Sequence, residues 1–121
     1  MKSIFYFIVS FTFFIASCSS KKNINEEQVQ IAKDYVFCKC YYSQLDSITL
    51  KNVYSIDLSL GYYFDVYEGN PFYLDSIAKD YAFKIEKTQI LDLGNRIPLM
   101  ADCLKFYRSK KLDSLIRNRP Y

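Results

Sequence analysis

Residues 26–43 read EEQVQIAKDYVFCKCYYS, and the spacing of their apolar positions decides the fold. Ile31, Tyr35, Cys38 and Tyr42 recur at the three- and four-residue intervals of one α-helical face. Val29, Ala32, Val36 and Cys40 make a second stripe on the other side. A helix that is apolar on two sides belongs in the middle of a bundle. Of its two cysteines, Cys38 shares a seam with large residues and Cys40 does not.

The flanking sequence continues the helical pattern. From Thr49 to about Glu68, Val53, Ile56, Leu60, Phe64 and Tyr67 recur at helical spacing, with the tyrosine-rich stretch 61–67 the weakest part. Gly69 reads as a helix stop, and Asn70-Pro71 as the cap and first residue of the next helix. That helix carries Leu74, Ile77, Ala78, Tyr81 and Ile85. The pattern breaks over residues 88–97 (TQILDLGNRI), around Gly94 and Asn95. Pro98 then opens a helix with Leu99, Cys103 and Phe106 on one face, and Ser109 caps a last one carrying Leu112, Leu115 and Ile116. No two-residue alternation with hairpin turns competes with this. The expected fold is a small all-α bundle of four to five helices joined by short loops, stapled by one disulfide.

Composition supports one domain and narrows the chemistry. The chain has 121 residues, half of them hydrophobic, with three glycines and three prolines, which excludes wholesale disorder and low-complexity architectures. It has twelve tyrosines and no tryptophan. There is no histidine, so most general-base, triad and metal-ligand schemes fall away. The net charge of +3 is too balanced for a nucleic-acid binder. Charge is nonetheless segregated: acids dominate from Asp46 to Asp80, and bases dominate from Lys105 to Arg119.

The N-terminus is a targeting segment. Met1-Lys2 is a short positive region, and Ile4–Ala16 is an apolar run too short to span a bilayer comfortably. Ile15-Ala16-Ser17-Cys18 resembles the lipobox of bacterial lipoproteins, in which the cysteine takes a diacylglycerol and becomes the mature N-terminus. The expected organisation is a signal peptide over 1–17, a lipid-anchored tether over 18–25 and a helical domain over 26–121. About one hundred residues then remain to fold, enough for one modest core. No aspartate follows Cys18, which by resemblance to lipoprotein sorting rules points to the outer membrane of a Gram-negative cell, facing the periplasm.

With Cys18 assigned to lipid, Cys38, Cys40 and Cys103 remain in an oxidising compartment. Cys38 and Cys40 lie about 200° apart on a helix and cannot bridge each other, so Cys103 is one partner of any bridge. Three cysteines without histidine lack the usual fourth zinc ligand, so no metal is expected. No cysteine has an activating base, Cys38-Lys39-Cys40 is not a redox spacing, and there is no phosphate-binding glycine loop, so no enzyme and no cofactor are expected. Asp57, Asp65, Glu68, Asp75 and Asp80 read as a solvated helix face. The pairs Tyr41-Tyr42 and Tyr62-Tyr63 fit a core and an interface equally well.

Residues 102–115 (DCLKFYRSKKLDSL) resemble the C-terminal signature of the type VI secretion amidase immunity proteins, a cysteine followed by an aliphatic residue, a tyrosine, a serine and a leucine at fixed spacing. Asp34-Tyr35-Val36-Phe37-Cys38 resembles the N-terminal helix of that family, and Gly61-Tyr62-Tyr63 and Glu68-Gly69 sit where it has its middle and helix-ending glycines. The likeness spans about residues 28–117; Cys40 is additional to it, residues 88–97 are less glycine-rich, and a lipobox replaces a plain signal peptide. The resemblance implies a small helical periplasmic protein, commonly dimeric, that blocks the active site of a papain-like Cys-His peptidoglycan amidase. It also implies a Cys38–Cys103 disulfide, in keeping with the seam that Cys38 shares with Ile31, Tyr35 and Tyr42. The expected partners are therefore a cognate amidase effector, a second copy, and a membrane through the lipid. The alternative is an envelope-maintenance lipoprotein with no toxin partner.

A plug needs an apolar anchor with a few directional polar groups. The first candidate insert is residues 88–97, where Ile90, Leu91, Asp92 and Arg96 supply that mix and Asn95 is a further polar residue. The second is the loop 67–73, with Tyr67.

Overall fold

The computed structural model describes residues 25–86 and 97–119, and those residues are all-helical. Six helices follow in order: α1 (Glu26–Tyr42), α2 (Ser47–Ile56), α3 (Ser59–Val66), α4 (Pro71–Lys84), α5 (Leu99–Tyr107) and α6 (Lys110–Arg117). Most starts are fixed by a polar side chain at the position before the helix. Asn25 accepts from the Glu27 N–H, Asp46 from Ile48 and Thr49, Asn70 from Phe72, and Ser109 from Leu112. Each bond satisfies a donor that the first helical turn leaves without a partner.

The long helix α1 is central, and α3, α4, α5 and α6 pack around it. Its lower end, where the chain enters, holds Glu26 against Arg117 of α6 through two N–H···O bonds of 2.6 and 2.8 Å. At the same end the Gln28 amide donates to the Val66 carbonyl and accepts from the Glu68 N–H, pinning the link between α3 and α4. At the upper end Tyr42 donates to Asp57, just before α3. So α3 runs down α1. Helix α4 climbs back, with Asp75 beside Tyr35 and Lys39. Helix α5 descends from Cys103, level with Cys40, to Tyr107, level with Gln30 and Asp34.

The core is the set of faces turned toward α1. Val29, Ala32, Tyr35, Val36 and Tyr42 of α1 meet Leu60 of α3, Leu74, Ile77 and Ala78 of α4, Phe106 of α5, and Leu112 and Ile116 of α6. Both stripes of α1 contribute, as a central helix requires. Tyr81 stacks on Phe106 with centroids 3.8 Å apart and closes the seam between α4 and α5.

Two expectations are corrected. The helix expected from Thr49 to Glu68 is two helices, broken at Asp57-Leu58. The Asp57 carboxylate accepts from the Ser59 N–H and hydroxyl and from Tyr42, so it starts a new helix and ends the old one. The break supplies the sixth helix and leaves Ile56, expected on the buried face, 86% exposed.

The disulfide is Cys40–Cys103, not Cys38–Cys103, and Cys38 is a free thiol. The two Cα atoms stand 5.9 Å apart, a separation that only closely approaching helices reach. The stripe carrying Cys40 is lined with small side chains, Ala32 and Val36, which let α5 come near. The opposite stripe carries Tyr35 and Tyr42, and Cys38 beside them packs against the core with no cysteine opposite it among the described residues. Seam size therefore argued for the wrong cysteine. The Gln44 amide donates to Cys103 Sγ at 3.0 Å and lies over the bridge.

Candidate functional site

The residues named from sequence as partner contacts are not gathered into one site. Cys18, Leu91, Asp92, Asn95 and Arg96 lie outside the described residues. Tyr67 is described, and it is only 5% exposed. Its hydroxyl accepts from Arg119, whose guanidinium lies 5.4 Å from the ring centre, and the pair closes over Gly69. Tyr67 thus ties Arg119 to the link between α3 and α4.

Two of the five acids read as a solvated face also turn inward. Asp57 takes the Tyr42 hydroxyl. Asp75 accepts from the Tyr35 hydroxyl at 2.5 Å, with Lys39 at 3.3 Å and Lys79 at 3.4 Å. Hydrogen bonds from the hydroxyls of Ser59 and Tyr42 lower the Asp57 pKa. Burial pushes the Asp75 pKa up, but Tyr35 and the two ammonium groups outweigh it and the net shift is downward. The phenols respond in the opposite direction: burial, then the hydrogen bond to a carboxylate, raises the pKa of both Tyr35 and Tyr42. Each pair joins two helices and is positioned for structure.

Cys38 is half-buried, and its thiol is pushed up to about 11, mainly by burial, with the negative charges of Asp57 and Asp34 adding to it. A thiol so protonated at neutral pH is a weak nucleophile. Among the described residues no group of three or more His, Cys, Asp or Glu is placed to hold a metal ion. No helix among them is long and apolar enough to cross a membrane.

What the structure does bring together is apolar surface at the upper end. Helix α2 buries no residue; Leu50 and Val53 rest on the core, while Ile48 is 74% exposed. Ile48, Asn52 and Ile56 are spaced four apart and share the outer face. Leu58, two residues past Ile56, is 79% exposed. Between them Asp57 is extended and turned inward, so Ile56 and Leu58 project on either side of a carboxylate fixed from below. Tyr54 packs edge-on against Tyr42 at 5.5 Å and supports the edge from behind. On the same end, Met100 borders a shallow apolar hollow made with Tyr41, Pro98 and Leu104.

Sequence periodicity missed Ile56 and Leu58 because both fit a continuous helix. The signal that could have found them is local: Asp57 stands two residues before Ser59, the spacing of a side chain that caps its own backbone. A separate groove of about 470 Å³ runs between α4, α5 and α6 over Ile77, Tyr81, Phe106 and Leu115. Its rim charges Asp80 and Lys84 pair with each other at 2.6 Å.

This arrangement is a stapled helical scaffold with exposed aliphatic side chains at its upper end. The chain matches no protein-family model, no curated protein and no solved structure.

Proposed function

We propose that this protein is an immunity protein that binds and inhibits a papain-like peptidoglycan amidase of a type VI secretion system. The single observation that carries the reading is the exposed row Ile48, Ile56 and Leu58 on a bundle whose core is tied by a disulfide. Single exposed apolar residues are ordinary on a protein surface, whereas a contiguous uncovered apolar patch marks a binding surface; Ile56 and Leu58, one residue apart, are the centre of the candidate patch. Inhibition by occlusion uses a rigid scaffold and a desolvated anchor, and it needs no catalytic residue on the inhibitor. The resemblance of residues 102–115 supplies the class of partner. The lipid on Cys18 would hold the inhibitor on the periplasmic side of the outer membrane, where incoming amidase attacks the cell wall.

The test is enzymatic. The secreted Cys-His amidase encoded beside this chain's gene is purified and its release of peptidoglycan peptides is measured with and without this protein. Stoichiometric loss of activity supports the reading. Full activity at a large excess of the protein rejects it in favour of an envelope-maintenance lipoprotein.

A further inference from the structure

We propose that the edge formed by Ile48, Ile56 and Leu58 is the surface that seats in an apolar cleft of the partner enzyme; this rests on the inhibitor reading above. The edge has the anatomy of a docking element. Ile56 and Leu58 are 86% and 79% exposed, yet they flank a residue whose carboxylate holds three hydrogen bonds, so they are presented without a loop to be ordered. Pre-organisation of this kind lowers the entropic cost of binding. Asp57 is the carboxylate between them; held by Tyr42 and Ser59 it stays ionised, so the tip sets two aliphatic side chains around one fixed anion. Lys51, Asn52 and Ser55 on α2 are exposed beside it and supply a polar rim.

The placement in the fold identifies the occupant. The chain enters α1 at Glu26, and Cys18 precedes Asn25 by seven residues, a reach of about 25 Å when extended. The edge lies at the other end of α1, beside Tyr42, a further 25 Å or so along the helix. An upright bundle on a lipid tether therefore points the edge away from its own membrane. Charge agrees. A surface that lies on an anionic bilayer is rich in Lys and Arg; α2 carries Lys51 alone, whereas α6 carries Lys110, Lys111 and Arg117. A second copy is a poor occupant for the same edge, because two projecting edges laid together bury little area. A concave apolar site on a different protein fits it.

The test uses the neighbouring amidase as the probe and calorimetry as the readout. Ile56→Asp with Leu58→Asp is compared with wild type and with Phe72→Asp, an equally apolar and 71% exposed position at the start of α4. The expected result is a loss of affinity on the order of a hundred-fold for the double variant. Phe72→Asp keeps wild-type affinity, and the melting temperatures of all three proteins agree. If the double variant binds as wild type does while wild type still inhibits, the edge is not the docking surface and the inhibitor reading stands. If wild type neither binds nor inhibits, both fall. Two controls name the other occupants. Binding of the lipid-free protein to vesicles of phosphatidylethanolamine with a minor share of phosphatidylglycerol, abolished in the double variant, would make the edge a membrane surface. A wild-type dimer in sedimentation that the double variant breaks would make it a self-association surface. Either result overturns the proposal.

Discussion

The Tyr42 hydroxyl, on the last turn of α1, donates to the same Asp57 carboxylate that receives the first N–H of α3 from Ser59. One side chain therefore stops α2, starts α3 and fixes both to the central helix. The Tyr42 ring is 4% exposed and carries the edge-on contact with Tyr54. Tyr42→Phe keeps the ring and removes only the donor. It is expected to lower the melting temperature by a few degrees and to speed amide exchange at residues 57–60, leaving exchange in α5 and α6 unchanged. Uniform exchange changes across all helices would show that the bond holds the whole bundle and not this junction.

The Cys40–Cys103 bridge closes a loop across 63 positions. By the chain-entropy model its removal costs about 4 kcal/mol. Cys40→Ala with Cys103→Ala should lower stability by that order in urea titration, while Cys38→Ser, at a half-buried thiol outside the bridge, should change it far less. Peptide mapping without reduction gives the direct check. A fragment joining the peptide of Cys38 to that of Cys103, in a chain where Cys40 alkylates freely, would reverse the assignment.

Acid should weaken the fold through Asp75. Its pKa in the folded chain lies below the ordinary carboxylate value, since Tyr35, Lys39 and Lys79 outweigh the effect of burial. The unfolded chain then binds the proton more readily, so the stabilisation is complete above about pH 4 and drains away as pH falls through the lower folded value. Asp57 shifts in the same direction. The urea midpoint should be level near neutrality and drop below about pH 4. Asp75→Asn, which cannot titrate, should start lower at neutral pH and lose less on acidification. Equal losses in the two proteins would place the acid sensitivity elsewhere.

Much of the fold is legible in the sequence, and the reasons are local. The two stripes of α1, the Asn70-Pro71 start of α4 and the Ser109 start of α6 depend on spacing and capping that neighbours do not alter. What was not legible depends on distance in space. Cys38 and Cys40 are two residues apart, and the choice between them is set by how closely α5 approaches each stripe. Tyr67 looked available because its loop position is visible and Arg119, fifty-two residues away, is not. Ile56 looked buried because periodicity cannot see a helix broken by Asp57, whose decisive partner Tyr42 lies on another helix.

The tether makes its own prediction. Cys18 is expected to be the lipidated N-terminus, because Ile15-Ala16-Ser17-Cys18 follows a short apolar leader. Several acyl chains, at ~0.8 kcal/mol per buried methylene, hold far more firmly than one. Growth on a clickable fatty acid should label wild type and leave Cys18→Ala dark, and wild type without label would remove the anchor from the picture. Anchoring and inhibition are separable if the edge beside Tyr42 is what meets the enzyme. Deleting residues 19–24 should leave affinity for the amidase unchanged in solution, since the proposed edge lies at the opposite end of α1 from its Asn25 cap. In cells it should reduce protection, because an edge drawn down toward the bilayer can no longer meet an enzyme working at the cell wall. Full protection by the shortened, labelled protein would show that the length of the tether does not matter.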